Sequence, residues 1–159
     1  MSAIEIKKVS SKADLTTFID FHYTLYKGNA FDAPNFYRDE LDTLSQDKNA
    51  AFDFCEAAYF LAYKEGQLVG RVAAIINHRA NEKWHTKAVR FGWIDFIDDI
   101  EVSRALLKAV EDYGQSKGMD NVIGPLGFTD FDPEGMLIEG FDQLGTMATI
   151  YNYPYYPQH

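Results

Sequence analysis

The hydrophobic and polar positions in the first 45 residues predict one strand followed by two helices. Ile4 and Ile6 alternate with polar residues, as in a short strand. Ser11 is a suitable N-cap for the helix that follows, and Gly28 is a suitable C-cap. Helical spacing over 36–44 predicts a shorter second helix. The first helix has one mainly apolar stripe: Leu15, Phe18, Ile19, His22, Leu25 and Tyr26.

The hydrophobic pattern changes to that of strands after residue 56. The segments 57–64 and 67–77 each read as a strand, and the Glu-Gly turn between them predicts a hairpin. The second strand is apolar at successive positions, which is typical of a strand covered on both faces. The polar connection 78–87 is predicted to be a solvated loop, although its basic residues could also attract an acidic substrate. A further strand is predicted at 88–97, and three strands in series argue against a helical bundle.

The clearest helix of the chain follows this third strand. Asp98 or Asp99 can cap its start, and the Lys-Gly pair at 117–118 suits its end. The segment 120–125 then predicts a short strand ended by Gly and Pro. This order of strands and helices predicts an α/β domain. The helix has an apolar stripe of six residues: Val102, Ala105, Leu106, Ala109, Val110 and Tyr113.

Composition indicates one compact globular domain over 1–159. The chain is 47% hydrophobic and 25% charged, which excludes a disordered or low-complexity protein. A single cysteine, Cys55, cannot form an internal disulfide and fits a reducing compartment. The sequence has no apolar run of the roughly 18 residues that cross a bilayer, and its polar start does not resemble a signal peptide. We therefore expect a cytoplasmic protein that does not bind membranes.

The charge of the chain argues against nucleic acid as a partner. Fifteen basic and twenty-four acidic residues give a net charge of −9, which repels phosphate backbones. The region 91–159 holds twelve acidic and three basic residues, so the whole excess of negative charge lies there. The histidine and cysteine spacing predicts no metal site. The absence of G-x-S-x-G, P-loop and G-x-G-x-x-G motifs leaves hydrolase, NTPase and dinucleotide-binding functions without support.

The segment 91–125, FGWIDFIDDIEVSRALLKAVEDYGQSKGMDNVIGP, carries a resemblance to a known family. It resembles the central strand, cofactor loop, long helix and following strand of the GNAT superfamily of acyl-CoA-dependent N-acyltransferases. The FGW-D-DD-EV-ALL pattern, the GM-NVIGP step, the GML-GFD segment and the closing NYPYY are similar to a bacterial group of uncharacterised GNAT-like proteins. The resemblance implies a mixed, mainly antiparallel sheet flanked by helices.

The sequence departs from the family pattern in two places. The loop before the long helix usually resembles Q/R-x-x-G-x-G/A in the superfamily, whereas 96–102 contains no glycine here. Members of the superfamily also continue after the segment resembling NYPYY through another helix and a final strand pair. We therefore expect a C-terminally incomplete fold, the N-terminal part of a longer one. Its open sheet edge would need a second copy of the chain or another domain to cover it.

The resemblance implies an acyl-CoA site at the start of the long helix. A helix N-terminus offers unpaired N–H groups and a partial positive charge, which suit a pyrophosphate. Asp98, Asp99 and Glu101 place carboxylates at the same point, so an ordinary acid-capped helix is an alternative interpretation. The implied contacts of acetyl-CoA or another acyl-CoA are Phe96, Ile97, Ile100, Glu101, Val102, Ser103 and Arg104.

The resemblance also implies candidate catalytic residues. Acyl transfer from a thioester to an amine needs a base for the amine and an acid for the departing thiolate. Asp95 lies on the strand where members often present a carboxylate, and Tyr155 or Tyr156 lies where they often carry a tyrosine. The alternatives are that Asp95 faces solvent and that both tyrosines simply pack against the domain. Cys55 is interpreted as a small buried residue rather than a nucleophile.

Two functions remain open from the sequence. The first is an enzyme, an N-acyltransferase that moves an acyl group from coenzyme A to an unidentified small amine. The second is a catalytically silent GNAT-fold module for binding or assembly, which the glycine-free acidic loop favours. Fold resemblance cannot choose between them, because function depends on the site.

Overall fold

The computed structural model describes residues 3–146 and 149–159, and these residues form one sheet with helices on both faces. The strands are β1 (Ile4–Lys8), β2 (Cys55–Lys64), β3 (Gln67–Asn77), β4 (Ala88–Phe96) and β5 (Asn121–Ile123). The α-helices are α1 (Lys12–Leu25), α2 (Tyr37–Leu44), α3 (His78–Trp84) and α4 (Ile100–Ser116). Short 3-10 turns occur at Ala50–Asp53 and Tyr156–Gln158.

The five strands of the sheet follow one another in sequence order, from β1 to β5. The first three pairings are antiparallel, and β4 pairs with β5 in parallel. The turn between β2 and β3 falls at Glu65 and Gly66, both with positive φ, so the predicted hairpin is confirmed. The mixed, mainly antiparallel sheet flanked by helices is also confirmed.

The two longest helices begin at residues that the sequence identified. The Ser11 hydroxyl accepts a hydrogen bond from the Asp14 backbone N–H at 3.1 Å at the start of α1. The Asp99 carboxylate accepts one from the Glu101 N–H at 3.0 Å at the start of α4. Each cap satisfies a donor that has no partner inside its helix. Within the described ranges no helix is both long and apolar enough to cross a bilayer.

The prediction of a solvated loop at 78–87 is wrong, because α3 lies there. The Asn77 side chain caps this helix by accepting from the Ala80 N–H at 2.9 Å, and His85, in the left-handed region with φ 54°, ends it. None of the helix residues is buried, so the sequence carries no apolar stripe that would reveal it. Local capping, rather than burial of a face, explains this short helix.

Both faces of the sheet are covered, which explains the continuous apolar run of β3. Alternate residues of a strand point to opposite faces. Val72 and Ile76 lie in a core with α4, whereas Ala73 and Ile75 lie in a second core with α1 and α2. All four of these side chains are fully buried. The sheet therefore has α4 packed on one face and α1 and α2 packed on the other.

The strands β4 and β5 part soon after they meet. Their pairing runs only from Ala88 to Arg90 on β4. A bulge follows at Trp93, where β4 carries one residue more than β3 and φ is 45°. The Leu126 N–H donates to the Phe91 carbonyl at 2.8 Å and closes one end of the resulting opening. Further along, the Phe96 N–H donates to the Tyr156 hydroxyl and the Phe96 carbonyl accepts from the Tyr155 hydroxyl, so the C-terminal segment covers the end of this edge.

The chain after β5 passes so close to Gly92 of β4 that a side chain there would clash, and a substitution at Gly92 tests this packing. A Cβ at Gly92 would lie 2.3 Å from the Leu126 carbonyl oxygen, a backbone atom that cannot rotate away. We expect Gly92→Ala to lower the free energy of unfolding by about 1–3 kcal/mol in urea denaturation followed by circular dichroism. Gly145→Ala is the matched control, because its Cβ would have no neighbour nearer than 3.4 Å. Equal stability of the two variants would contradict this packing.

Candidate functional site

A cleft of about 820 Å³, counting its opening to solvent, lies on the face of the sheet that carries α1. One wall is the loop 32–35 between α1 and α2, and the other comes from 133–136 and 149–152. The floor combines residues of α1, β3, β4 and the C-terminal segment: His22, Arg71, Trp93, Ile94, Asp95 and Tyr156. Elements that are distant in sequence therefore meet at one opening.

Asp95 is the centre of the cleft floor and is only 5% exposed. Its Oδ2 accepts hydrogen bonds from Arg71 Nε at 2.8 Å and from His22 Nδ1 at 3.0 Å. Its Oδ1 accepts from the Tyr156 hydroxyl at 3.0 Å. Burial alone would raise the pKa of Asp95, but the charges of Arg71 and His22 outweigh it and lower the pKa to about 2. The alternative that Asp95 faces solvent is therefore wrong.

His22 connects Asp95 to a second carboxylate. Its Nε2 lies 3.1 Å from Asp32 Oδ2, and its ring stacks on Tyr26 with centroids 4.5 Å apart. Burial by itself would lower the pKa of His22. The Asp95 charge and the hydrogen bond to Asp32 outweigh burial and raise the pKa to about 9. His22 is therefore an imidazolium at neutral pH, and both ring N–H groups donate to carboxylates.

Arg71 reaches Asp95 because the two residues are cross-strand partners on β3 and β4. Arg71 is 4% exposed, and its Nη1 also donates to the Phe18 carbonyl at 3.0 Å. Sequence reasoning missed this residue and the role of His22. A lone arginine in the apolar run of β3 and a histidine on the apolar stripe of α1 were the available signals. Both indicate buried polar groups that need partners.

The two candidate tyrosines both lie at the end of β4, where their hydroxyls bond to the backbone of Phe96. The Tyr156 hydroxyl donates to Asp95 and accepts from the Tyr26 hydroxyl at 3.0 Å and the Phe96 N–H at 3.3 Å. The Tyr155 hydroxyl donates to the Phe96 carbonyl at 2.6 Å. Burial raises the pKa of both tyrosines, so both keep their protons at neutral pH. The structure thus brings Asp95, Tyr155 and Tyr156 together.

A third buried carboxylate, Glu40, lies on the wall formed by the loop and α2. Glu40 is 8% exposed and accepts from Asn35 Nδ2 at 2.9 Å and from Trp93 Nε1 at 2.8 Å. No pattern in the sequence distinguished Glu40 or Asp32 from the exposed acids of the α1–α2 region. Their role as cleft residues depends on the fold.

The start of α4 lies on the opposite face of the sheet and is acidic, as the sequence indicated. The Asp99 carboxylate caps the helix and also pairs with Lys64 Nζ at 2.5 Å, which compensates its charge. Asp98 pairs with His159 at 3.0 Å. Arg104 lies 3.8 Å from Glu101. The Asp99 side chain therefore already engages one backbone N–H donor at the helix start, that of Glu101.

The seven residues proposed to contact acyl-CoA differ in exposure. The side chains of Phe96, Val102 and Ser103 are buried. Ile97 and Ile100 are half-buried, and Glu101 and Arg104 are exposed. Phe96 ends β4, Ile97 lies in the turn that follows, and the other five residues form the start of α4.

Cys55 behaves as a small buried residue, as the sequence indicated. It is 5% exposed, and burial raises the pKa of its thiol to about 11. The thiol is therefore protonated at neutral pH and is a poor nucleophile.

No protein-family model matches the chain. The chain is 32% identical over 154 residues to Protein YghO of Escherichia coli, a match that covers 97% of this chain and 39% of YghO. It is 31% identical over 144 residues to a bacterial ceramide synthase of Caulobacter vibrioides, covering 87% of this chain and 36% of that protein. The chain thus spans less than two fifths of the length of each relative.

Solved structures of acetyltransferases share the architecture at low sequence identity. The aminoglycoside N-acetyltransferase AAC(6')-Iy in complex with CoA matches with a TM-score of 0.55 and 20% identity, covering 77% of this chain and 76% of that one. A tandem GNAT protein from the clavulanic acid biosynthesis pathway matches with a TM-score of 0.56 and 12% identity, covering 73% of this chain and 34% of that one. The chain therefore has the fold of the GNAT acetyltransferases, as its sequence resemblance implied, and it is homologous over most of its length to YghO and to bacterial ceramide synthase.

Proposed function

We propose that this protein is an N-acyltransferase that moves an acyl group from acyl-CoA to an amine. One observation carries the proposal: a buried, ionised network of Asp95, Arg71, His22 and Tyr156 forms the floor of an open cleft at the end of β4. The fold and the homology to a bacterial ceramide synthase support the same chemistry.

A catalytic role explains this buried charged network better than a contribution to the folding stability of the protein does. Removing a charged pair from water is expensive, and apolar side chains of similar volume often stabilise a core as well or better. Perturbed ionisable groups that line a cleft are candidates for catalysis. Here Asp95 and His22 have strongly shifted pKa values and face the cleft, which favours an active site.

The reaction is a direct transfer in which the amine nitrogen attacks the thioester carbonyl. The new C–N bond forms, the C–S bond breaks, and the coenzyme leaves as a thiolate that takes up a proton. We assign Asp95 the role of holding His22 and Tyr156 in place. Tyr155 and Tyr156 are the candidate proton donors to the thiolate, because burial keeps both hydroxyls protonated.

The acyl donor is proposed to lie across the turn from β4 to α4. Phe96 and Ile97 would flank its pantetheine, and residues 100–104 would hold its diphosphate at the helix start. The pairing of Lys64 with Asp99 supports this placement, because it reduces the repulsion that Asp99 would exert on phosphate. The amine would bind in the cleft on the other face of the sheet, which is lined by Asp95, the residue before Phe96.

A second candidate function is a silent GNAT-fold module that binds or assembles with a second copy of the chain. The acidic start of α4 favours it, because Asp99 already engages the Glu101 donor and the loop has no glycine. If the protein binds no acyl-CoA and light scattering shows a stable dimer, the silent module is favoured over the enzyme.

Calorimetric titration with acetyl-CoA and palmitoyl-CoA tests the donor site. We expect saturable binding of at least one of them, and Arg104→Gln should weaken it about threefold by removing a cation near the diphosphate. Lys108→Gln, one turn further along α4, is the matched control and should bind as the wild type does. No heat at millimolar ligand would count against the proposed donor.

Substitution of Asp95 tests the network. With any amine that the protein acylates, we expect Asp95→Asn to lower kcat about a hundredfold, because His22 and Tyr156 lose their shared anchor. The Kd of acyl-CoA should stay within about twofold of the wild type. Tyr156→Phe keeps the Asp95 charge but removes both the bond to Asp95 and a candidate proton donor, so it should also lower kcat. Asp112→Asn on the exposed face of α4 is the control. A folded Asp95→Asn protein with an unchanged rate would remove this residue from the mechanism.

The raised pKa of His22 predicts a pH-dependent stability. His22 holds its proton more tightly in the folded protein, with a pKa of about 9 against 6.5 for the free side chain. Its stabilising contribution is therefore complete below pH 6.5 and is lost as the pH rises through about 9. Urea unfolding across this range should show a falling free energy of unfolding that His22→Gln flattens, whereas the surface variant His78→Gln keeps the wild-type slope. Parallel slopes for wild type and His22→Gln would refute the linkage.

A further inference from the structure

Both oxygens of the Asp95 carboxylate already accept hydrogen bonds from the protein, three at Oδ2 and one at Oδ1. Its Oδ2 accepts from Arg71 Nε, Arg71 Nη2 and His22 Nδ1, all within 3.0 Å, and its Oδ1 accepts from the Tyr156 hydroxyl. Arg71 and His22 also keep its pKa low, so it is a weak proton acceptor. The amine must therefore be met by another group of the cleft.

Asp32 is placed differently. It lies in the loop after α1, lines the cleft, and its side chain is 9% exposed. His22 Nε2 holds its Oδ2 at 3.1 Å, which fixes the carboxylate in one orientation. Its Oδ1 has no hydrogen-bond partner among residues 3–146 and 149–159. A carboxylate that is mostly buried, oriented by a histidine and open on one oxygen is suited to receive a cation.

We propose that Asp32 Oδ1 binds the ammonium group of the acceptor amine and takes up the proton that the nitrogen releases, while His22 holds the other oxygen of Asp32. This inference rests on the proposed acyl transfer and deepens it by naming the amine-binding group. An ammonium ion carries two protons more than the amide nitrogen that it becomes. One proton compensates the departing thiolate, and the other leaves to solvent through Asp32.

The charges of the cleft favour a monocation. Asp32, Glu40 and Asp95 supply three negative charges, and Arg71 and the His22 imidazolium supply two positive charges. One ammonium group neutralises the remaining charge, whereas a substrate carboxylate would meet the acids. The walls beyond Asp32 are largely uncharged, and they include Pro34, Pro133, Met136 and Ile150. The site thus suits a primary amine whose remaining part is uncharged and at least partly apolar.

The test uses hexylammonium as the probe and 1-hexanol as its uncharged analogue. Titrations are followed by the NMR signals of the histidine ring nitrogens, and His22→Gln identifies the His22 signals. We expect hexylammonium to shift these signals saturably in the wild-type protein and 1-hexanol to leave them unchanged. Absence of a shift with hexylammonium in the wild-type protein would overturn the inference without the need for any variant.

Asp32→Asn should abolish the shift, because it removes the charge and keeps the shape of the side chain. Asp39→Asn is the matched control, since it removes an exposed acid seven positions along the chain. With an amine that the protein acylates, Asp32→Asn should raise the KM for that amine at least about tenfold. An equal response of both variants would overturn the assignment to Asp32.

Acyl-CoA titration of the same samples separates this inference from the proposed function. A hexylammonium response that needs Asp32, in a protein that does not bind acyl-CoA, would support the amine site and remove the acyl transfer. Acyl-CoA binding without any hexylammonium response would overturn the amine site and leave the acyl transfer standing.

Discussion

The ion pair between Arg71 and Asp95 joins β3 to β4 at the point on which the cleft depends. Both side chains are almost completely buried, and such a pair is tolerated only when its remaining hydrogen-bonding groups find partners. The Phe18 carbonyl and His22 supply partners from α1, and Tyr156 supplies one from the C-terminal segment. The requirement to satisfy one buried charge pair thus fixes the relative positions of four parts of the chain.

The alternation of side chains along β4 divides the proposed chemistry between two faces of the sheet. Asp95 points into the cleft beside α1, and its neighbour Phe96 packs in the core beneath α4. Beyond the short pairing of β4 with β5, Tyr155 and Tyr156 hydrogen-bond to Phe96 at the edge between these faces. In the proposed reaction, a donor bound at the start of α4 and an amine bound in the cleft would meet at the end of β4, where Tyr155 and Tyr156 lie.

The family resemblance identified only part of the site. It pointed to Asp95 and to Tyr155 and Tyr156, and the structure brings all three to the end of β4. It did not identify Arg71 or His22, although each was an unusual polar residue in an apolar pattern. A pattern shows that a polar residue is buried, but it does not show which partner satisfies it.

The sequence by itself determined the hairpin, the capped helices α1 and α4 and the two-sided burial of β3, because these depend on turn residues, local caps and side-chain period. It did not show α3, which buries no residue and is held by its caps. Tertiary structure alone decided that Asp32 and Asp95 would share His22, since 63 positions separate the two acids in the printed sequence. Hydrogen-bond geometry between such distant residues exists only after the sheet and α1 have packed together.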